Sequence, residues 1–216
     1  VNGILAALLE ASSSGQGQVI DVAMVDGTAQ SMWMFHSLHS LGAWKADARG
    51  VNMLDGGAHF YETYTCADGE YVAVGAIEPQ FYAELCRLAE LPAQTFEDQN
   101  NAAEWPAMKA RLADVFRQKS RDEWCALFEG SDACVAPVLR FTEAPAYPAN
   151  RERDVYIEVD GVVQPAPAPR FGRTPSAVDH GVHGAGEDTH AILAAMGFAA
   201  GEIDELQRQG AVAAKP

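Results

Sequence analysis

The stretch of residues 52–82 constrains the fold more than any other, because its middle has the pattern of a β-hairpin. Residues 60–65 are rich in aromatic residues and threonine, which favour a pleated strand, and residues 71–74 form a second apolar run of strand length. The pair Asp68-Gly69 stands between them, and Asp-Gly is a strong hairpin signal because glycine accepts a positive φ. We therefore predict two antiparallel strands joined by a tight turn.

Each open end of the predicted hairpin carries a carboxylate. Before the first strand, Asp55 precedes two glycines, which let the backbone approach another surface closely. After the second strand, Glu78 stands directly before Pro79, a proline that we expect to open a helix. Because the open ends of an antiparallel hairpin lie side by side, Asp55 and Glu78 are predicted to be neighbours at the rim of one site.

The flanking sequence alternates between helical and extended patterns. Helices are predicted over residues 1–11, 24–41, 79–91, 104–118, 121–129, 190–196 and 201–209. Ser120 is the expected N-cap of the helix at 121–129, because Glu123 follows it at the spacing of a capping box. The remaining predictions are a short strand at 17–22, an extended segment at 134–138, a second hairpin at 155–163 and an extended proline-rich run at 164–169.

The first 41 residues have the order helix, strand, helix. This order is typical of the end of an α/β unit whose first strands lie upstream. We therefore expect the chain to be a C-terminal piece of a longer protein. The apolar faces of these helices would then lack their partners in this chain, which makes aggregation a hazard.

Composition and charge exclude several classes of partner. The chain has 216 residues, of which 48% are hydrophobic and 21% charged, as in an ordinary globular protein. Its 15 basic and 30 acidic residues give a formal net charge of −15. An acidic surface repels phosphate groups, so neither nucleic acid nor an anionic membrane is an expected partner.

The cysteines and histidines do not predict a metal site. The four cysteines have no CxxC spacing and stand among apolar residues, so we interpret them as reduced core thiols. The histidines at 180, 183 and 190 are irregularly spaced in a glycine-rich segment, which favours a solvated linker over metal ligands. No apolar run approaches the ~20 residues of a membrane span and no signal peptide is visible, so a cytoplasmic location is expected.

Three motifs carry a family resemblance: NMLDGGA at 52–58, GAIEPQFY at 75–82 and SDACVAPVL at 131–139. With them the chain resembles, over essentially its whole length, the α-methylacyl-CoA racemases of the CaiB/BaiF (family III) CoA-transferase superfamily. Two positions depart from the family pattern, since His59 stands where proline is usual and Ala136 where threonine is usual.

The resemblance implies roles for residues at both ends of the hairpin. In the family, the glutamate at the position of Glu78 supports a catalytic His/Asp pair and comes from the other subunit. On the residues alone, Glu78 could equally be a carboxylate at a helix N-terminus, where it interacts favourably with the helix dipole. Asp55 could bind substrate or only close a turn. The expected substrate-binding residues are Leu54, Asp55, Gly56, Tyr61 and Ile77, with Met24, Met32 and Met34 as possible additional apolar surface.

The resemblance also implies an activity. The racemases move a proton on and off the carbon next to a thioester through an enolate, and the CoA is carried by the substrate, so no separate cofactor is expected. The Gly-His-Asp-Ile-Asn type motif that supplies the family's catalytic histidine does not occur in this chain. Basic residues that could meet CoA phosphates are few, namely Lys45, Arg49 and Arg170.

Three functions stay open at this point. The first is a racemase fragment that is inactive alone. The second is a family III CoA-transferase, which uses an aspartate nucleophile to move CoA between carboxylic acids; the transferases usually have a longer glycine loop than Gly56-Gly57, which favours the racemase. The third is a non-catalytic assembly module, which fits the missing His/Asp pair.

Together these observations predict an α/β fold of the CoA-transferase family III type. We expect the C-terminal part of a truncated, Rossmann-like large domain at residues 1–51 and a small α+β domain at 52–146. An extended return segment at 147–176 and C-terminal helices that pack on the large domain at 177–216 complete the prediction. The family forms interlocked homodimers, and the proline-rich return segment suits a chain that wraps its partner.

Overall fold

The computed structural model of the protein describes residues 1–213, which form two compact units divided between Val138 and Leu139. The domain boundaries predicted at residues 51, 146 and 176 stay predictions. The last three residues of the predicted segment 177–216 lie outside the described residues. Among residues 1–213, every helix is either too short or too polar to span a lipid bilayer.

The first unit opens with three helices that bury none of their residues: α1 (Asn2–Ser14), α2 (Met24–Ser31) and α3 (Trp33–Ser40). Gly15 ends α1 in the left-handed conformation (φ 74°), and its amide donates to the carbonyl of Ala11. The single helix predicted over 24–41 is wrong, because Met32 leaves helical geometry (φ −91°, ψ 3°) and divides it. The strand predicted at 17–22 is also wrong, since no described strand pairs with this segment and a strand needs a partner for its backbone groups.

The predicted hairpin is confirmed. Strands β1 (Tyr61–Thr65) and β2 (Tyr71–Gly75) are antiparallel, with Tyr61 opposite Gly75 and Thr65 opposite Tyr71. Gly69 takes the positive φ (80°) that the turn requires. The extended segment predicted at 134–138 becomes β3 (Val135–Val138), which pairs antiparallel with β2 and completes a sheet of order β1-β2-β3.

Four helices belong to the same unit: α4 (Pro79–Leu88), α5 (Ala93–Phe96), α6 (Trp105–Phe116) and α7 (Arg121–Phe128). Pro79 opens α4 as predicted. The helix ends earlier than residue 91 because Glu90 adopts a left-handed φ of 52°. Helix α5 was not predicted. The capping box of Ser120 and Glu123 is confirmed, since each side chain hydrogen-bonds to the other residue's backbone amide.

The core lies between one face of the sheet and the helices α4, α6 and α7. Tyr64, on this face, stacks on Phe116 of α6 with ring centroids 5.0 Å apart, and Phe116 meets Trp124 of α7 edge to face at 5.0 Å. All three side chains are buried. Burial of large aromatic rings is a major stabilising term for a unit of this size.

The second unit contains a two-stranded antiparallel sheet of β4 (Tyr156–Val159) and β5 (Val162–Pro165), which confirms the second predicted hairpin. Asp160 and Gly161 between them both have a positive φ, as a two-residue turn of type I′ requires. The helices of this unit are a 3₁₀ turn at Ala144–Ala146, α8 (Pro148–Glu152), α9 (Thr189–Ala195) and α10 (Ala200–Arg208). Residues 166–169 have no helix or strand, as the prolines predict.

Candidate functional site

A trough of about 550 Å³ lies on the outer face of the three-stranded sheet, at the open end of the hairpin. Thr63, Ala73 and Ala136 stand opposite one another on the three strands, and all three line the trough. The neighbours of Thr63 and Ala73 along the strands, Tyr64 and Val72, point into the core. The strand register therefore places three small side chains on the trough face of the sheet and the larger Tyr64 and Val72 on its core face.

Three predicted site residues come together at this trough. Asp55, Gly56 and Tyr61 line it, and Tyr61 keeps 38% of its surface exposed. Leu54 and Ile77 are half-buried and are not among the residues that line it, while Ile77 packs against the core. The role of Leu54 and Ile77 in substrate binding stays a prediction.

Asp55 organises the turn that borders the trough. Its carboxylate accepts hydrogen bonds from the backbone amide and the side-chain amide of Asn52, both at 2.7 Å, and from the amide of Gly50 at 3.2 Å. Burial acts to raise the pKa of Asp55, but the hydrogen bonds from Asn52 and Gly50 outweigh it, so the pKa lies below its ordinary value. The geometry thus shows the turn-closing role of Asp55, and its predicted contact with substrate stays untested.

The two glycines after Asp55 are required by the geometry of this turn. A Cβ on Gly57 would lie 2.5 Å from the carbonyl carbon of Val51 and 2.6 Å from the carbonyl oxygen of Asn52. Gly56 has φ 87°, and a Cβ there would lie 3.2 Å from a carboxylate oxygen of Glu62. The turn therefore packs tightly against strand β1.

A lysine from α6 reaches the same place. The ammonium of Lys109 contacts the carboxylate of Glu62 on β1 and donates a hydrogen bond to the carbonyl oxygen of Gly56. Burial acts to raise the pKa of Glu62, but the bonds from Lys109 and from Thr63 outweigh it, so its pKa is lowered. Glu62 therefore remains ionised and paired at the edge of the trough.

Glu78 follows strand β2 at the same open end of the hairpin at which Asp55 precedes strand β1. It is the N-cap residue of α4, where its carbonyl accepts from the amide of Tyr82 at 3.0 Å, and its side chain is exposed without capping the helix. The pKa of Cys134, which lines the trough, is raised. Burial is the larger cause, and the negative charge of Glu78 is the second. Asp55 lines the trough, whereas Glu78 is not among the residues that line it and follows the lining residue Gly75 by three positions. The predicted contact between Asp55 and Glu78 at one site, and the part that each plays in chemistry, stay predictions.

A family model named CoA-transferase family III matches residues 1–189. The chain belongs to CoA-transferase family III. It is 48% identical over 210 residues to the mouse protein named alpha-methylacyl-CoA racemase and 45% identical over 206 residues to the human protein of that name. Each match covers 94% of this chain and 54% of the relative, so the chain spans about half the length of these relatives.

A solved structure confirms the family III fold. The chain superposes on a CAIB/BAIF family protein from Brucella suis with a TM-score of 0.68 and 22% identity, covering 91% of this chain and 52% of that structure. The fold class predicted from the sequence is therefore confirmed.

Other predicted residues of this family III chain lie in separate places. The backbone of Lys45 exchanges two hydrogen bonds with the side chain of Asn52, beside the turn. Arg170 belongs to the second unit, where it donates to the carbonyl of Asp154 at 2.6 Å. Within residues 1–213, no group of three or more His, Cys, Asp or Glu side chains is arranged to hold a metal ion.

Sequence reasoning missed Glu62, Lys109 and Cys134 as residues of the candidate site. Lys109 stands 47 positions after Glu62, and only the packing of α6 beside β1 joins them. The interpretation as a core thiol is wrong for Cys134, because this residue is exposed. Cys66 is buried as expected, while Cys86 and Cys125 are half-buried.

Proposed function

We propose that this chain supplies part of the site of a 2-methylacyl-CoA racemase, which epimerises its substrate by 1,1-proton transfer through an enolate. The observation that carries the proposal is the identity of 45–48%, over 94% of this chain, to two proteins named alpha-methylacyl-CoA racemase, and Glu78 at the end of the hairpin beside the trough supports it. The substrate is an acyl-CoA, and no cofactor beyond its CoA takes part.

The chemistry divides between this chain and the rest of the protein. A thioester acidifies its α-proton, so racemisation needs one group to remove that proton and a second group, on the opposite face, to return one. The motif for the family's catalytic histidine is not in this chain, so the acid/base pair lies outside residues 1–216. Glu78 then acts by orienting that pair and tuning its pKa, and the trough accommodates part of the acyl-CoA.

We propose further that the full protein is an interlocked homodimer and that it is cytoplasmic. The unburied helices α1 to α3 support association, because Leu8, Leu9 and Trp33 keep 63%, 74% and 64% of their surface exposed. Apolar patches of this kind usually mark surfaces that pack on another part of an assembly. The net charge of −15 supports the absence of nucleic acid and anionic membranes among the partners.

A CoA-transferase is the second candidate, because the family model that matches bears that name. In a transferase, an aspartate carboxylate attacks the thioester carbonyl, which forms an acyl-aspartyl anhydride and releases CoA thiolate. The thiolate attacks the aspartyl carbonyl of this anhydride, which releases the donor acid and leaves an aspartyl-CoA thioester. The acceptor carboxylate attacks that thioester to form a second anhydride and release the thiolate, which then attacks the acceptor's acyl carbonyl, so that the new acyl-CoA leaves and the aspartate is regenerated. The two activities differ in outcome: a racemase exchanges the α-proton without any free acid, whereas a transferase needs an acceptor acid. A non-catalytic assembly module would do neither.

The test is a chimaera of the mouse racemase in which this chain replaces the segment that aligns with it. The chimaera is incubated with enantiopure 2-methyldecanoyl-CoA in deuterated water, with the unaltered mouse protein as positive control. Deuterium at the α-carbon and loss of enantiomeric purity at a similar rate are the expected results. Transfer of CoA to added free carboxylic acids, without α-exchange, would favour the transferase. A folded chimaera that shows neither activity would contradict both enzymatic proposals.

A further inference from the structure

Helix α6 holds Lys109 in a fixed place. Trp105, Met108, Leu112 and Phe116 of this helix are buried in the core, and the indole of Trp105 donates to the carbonyl of Gln99 at 2.9 Å. Lys109 therefore leaves a firmly packed helix, and its side chain keeps only 34% of its surface exposed. A partly buried lysine packs its methylene stem along the protein and presents its charged head to polar partners.

The ammonium of Lys109 joins two parts of the trough wall. It contacts a carboxylate oxygen of Glu62, whose other oxygen accepts from the amide of Thr63 at 2.8 Å. It also donates to the carbonyl oxygen of Gly56. Contacts between charged groups and hydrogen-bonding partners are among the stronger polar interactions in proteins.

The peptide group between Gly56 and Gly57 is held from both of its ends. Lys109 binds its carbonyl oxygen, and its N–H donates to the carbonyl oxygen of Asn52 at 3.0 Å. Gly56 has φ 87°, a conformation with few steric restraints in glycine, so these contacts rather than a side chain fix the orientation of the peptide.

We propose that Lys109 is a positioning residue for the acyl-CoA site: it fixes the Gly56–Gly57 peptide and thereby the wall of the trough against which the substrate lies. This inference rests on the proposed racemase function. Lys109 acts through the turn and does not touch the reacting atoms. Its loss should therefore weaken substrate binding more than it slows the proton transfer itself.

The first arm of the test uses this chain alone and needs no substrate. Hydrogen exchange of the Gly57 amide is followed by NMR in the wild type and in Lys109→Met. The matched control is Lys119→Met, because Lys119 lies over the ring of Trp124 rather than at the trough. We expect exchange at Gly57 to become about tenfold faster only in Lys109→Met, since an amide exchanges in proportion to local opening. Unchanged exchange would overturn the proposal.

The second arm measures kinetics in the mouse chimaera with 2-methyldecanoyl-CoA. Lys109→Met should raise KM by about tenfold to 100-fold, with kcat changed by less than about threefold, because a misplaced wall costs binding. Lys109→Arg keeps a cation and donors at this place and should recover most of the loss. A fall in kcat at constant KM, or wild-type kinetics in Lys109→Met, would overturn the positioning role.

The double variant Lys109→Met/Glu62→Gln separates positioning from charge. If Lys109 served only to neutralise Glu62 near an anionic substrate, removing both charges would restore KM. We expect KM to stay raised, because the Gly56 carbonyl remains unbound. Restoration would overturn the proposal. If the wild-type chimaera showed no α-exchange, the racemase function would fail while the Gly57 exchange data would still decide whether Lys109 fixes the turn.

Discussion

The backbone amide of Gly75 donates a hydrogen bond to the carbonyl oxygen of Cys134 over 2.9 Å. Cys134 directly precedes β3 and has a positive φ of 53°. Because of this hydrogen bond, the pairing of β2 with β3 extends one residue beyond the strand. Glu78 follows Gly75 by three residues. This bond therefore fixes the point at which the chain leaves the sheet toward Glu78 and keeps Cys134 within reach of its charge.

Replacing Glu78 by glutamine in the mouse chimaera should preserve the fold and lower the rate of α-proton exchange by about 100-fold. General acid/base catalysis contributes a rate enhancement of at least this size. The amide keeps the size of the side chain but loses the charge that would orient the acid/base pair. The measurement is deuterium incorporation into 2-methyldecanoyl-CoA, together with circular dichroism.

Glu129→Gln is the matched control for Glu78→Gln, since Glu129 is an exposed glutamate that follows α7. It should leave exchange unchanged. An unaltered rate in Glu78→Gln would mean that Glu78 is only a helix-terminal carboxylate.

Gly57→Ala should destabilise the first unit by about 3 kcal/mol, because backbone atoms rather than flexible side chains lie where the new methyl group would go. Its Cβ would lie 2.5 Å from Val51 and 2.6 Å from Asn52. The measurement is urea unfolding of this chain followed by tryptophan fluorescence. Gly27→Ala on α2, with nothing within 4 Å of the added Cβ, should lose nothing. Equal midpoints for Gly57→Ala and the wild type would contradict the tight turn.

Local signals in the sequence predicted the parts of the fold that depend on local chemistry. The turn at Asp68-Gly69 and the box of Ser120 and Glu123 are set within four residues, and both formed as predicted. The strand predicted at residues 17–22 failed because strand formation depends on a partner, and no described strand pairs with it.

The candidate site was predictable in part for the same reason. Antiparallel pairing alone brings the two ends of the hairpin together; Asp55 lines the trough at this end, and Glu78 follows β2 by three residues. The contact of Lys109 with Gly56 spans 53 positions and depends on how α6 packs on β1. No local pattern in the sequence encodes such a contact, so it required the structure.

His59 should make the stability of the chain fall between about pH 6.5 and pH 4. Its ring is fully buried, Nε2 lies 2.7 Å from the hydroxyl of Tyr82, and Nδ1 has no hydrogen-bond partner. Burial lowers the pKa of His59 to about 4. In this window the unfolded chain binds a proton that the folded chain does not, so stability is complete above the window and is lost as the pH falls, by at most about 1.4 kcal/mol per pH unit.

His59→Gln tests this pH dependence, because glutamine can still hydrogen-bond to Tyr82 but does not titrate. The free energy of unfolding is measured by urea titration at half-unit steps from pH 4 to pH 8. The difference between wild type and variant should slope across the window and be flat above pH 7. A flat difference throughout would show that His59 titrates alike in both states.

Removing residues 1–41 should reduce self-association of this chain while leaving its core intact. Helices α1, α2 and α3 bury no residue, and the core cluster lies between Ala58 and Ala133. The cut keeps Lys45, whose backbone holds the side chain of Asn52. Analytical ultracentrifugation should show a smaller apparent mass per chain, since exposed apolar side chains drive association. The midpoint of thermal unfolding should change by no more than a few degrees, about the shift that 1 kcal/mol produces. A large fall in that midpoint would show that these helices stabilise the core. Undiminished association would show that the surface responsible for self-association lies elsewhere in the chain.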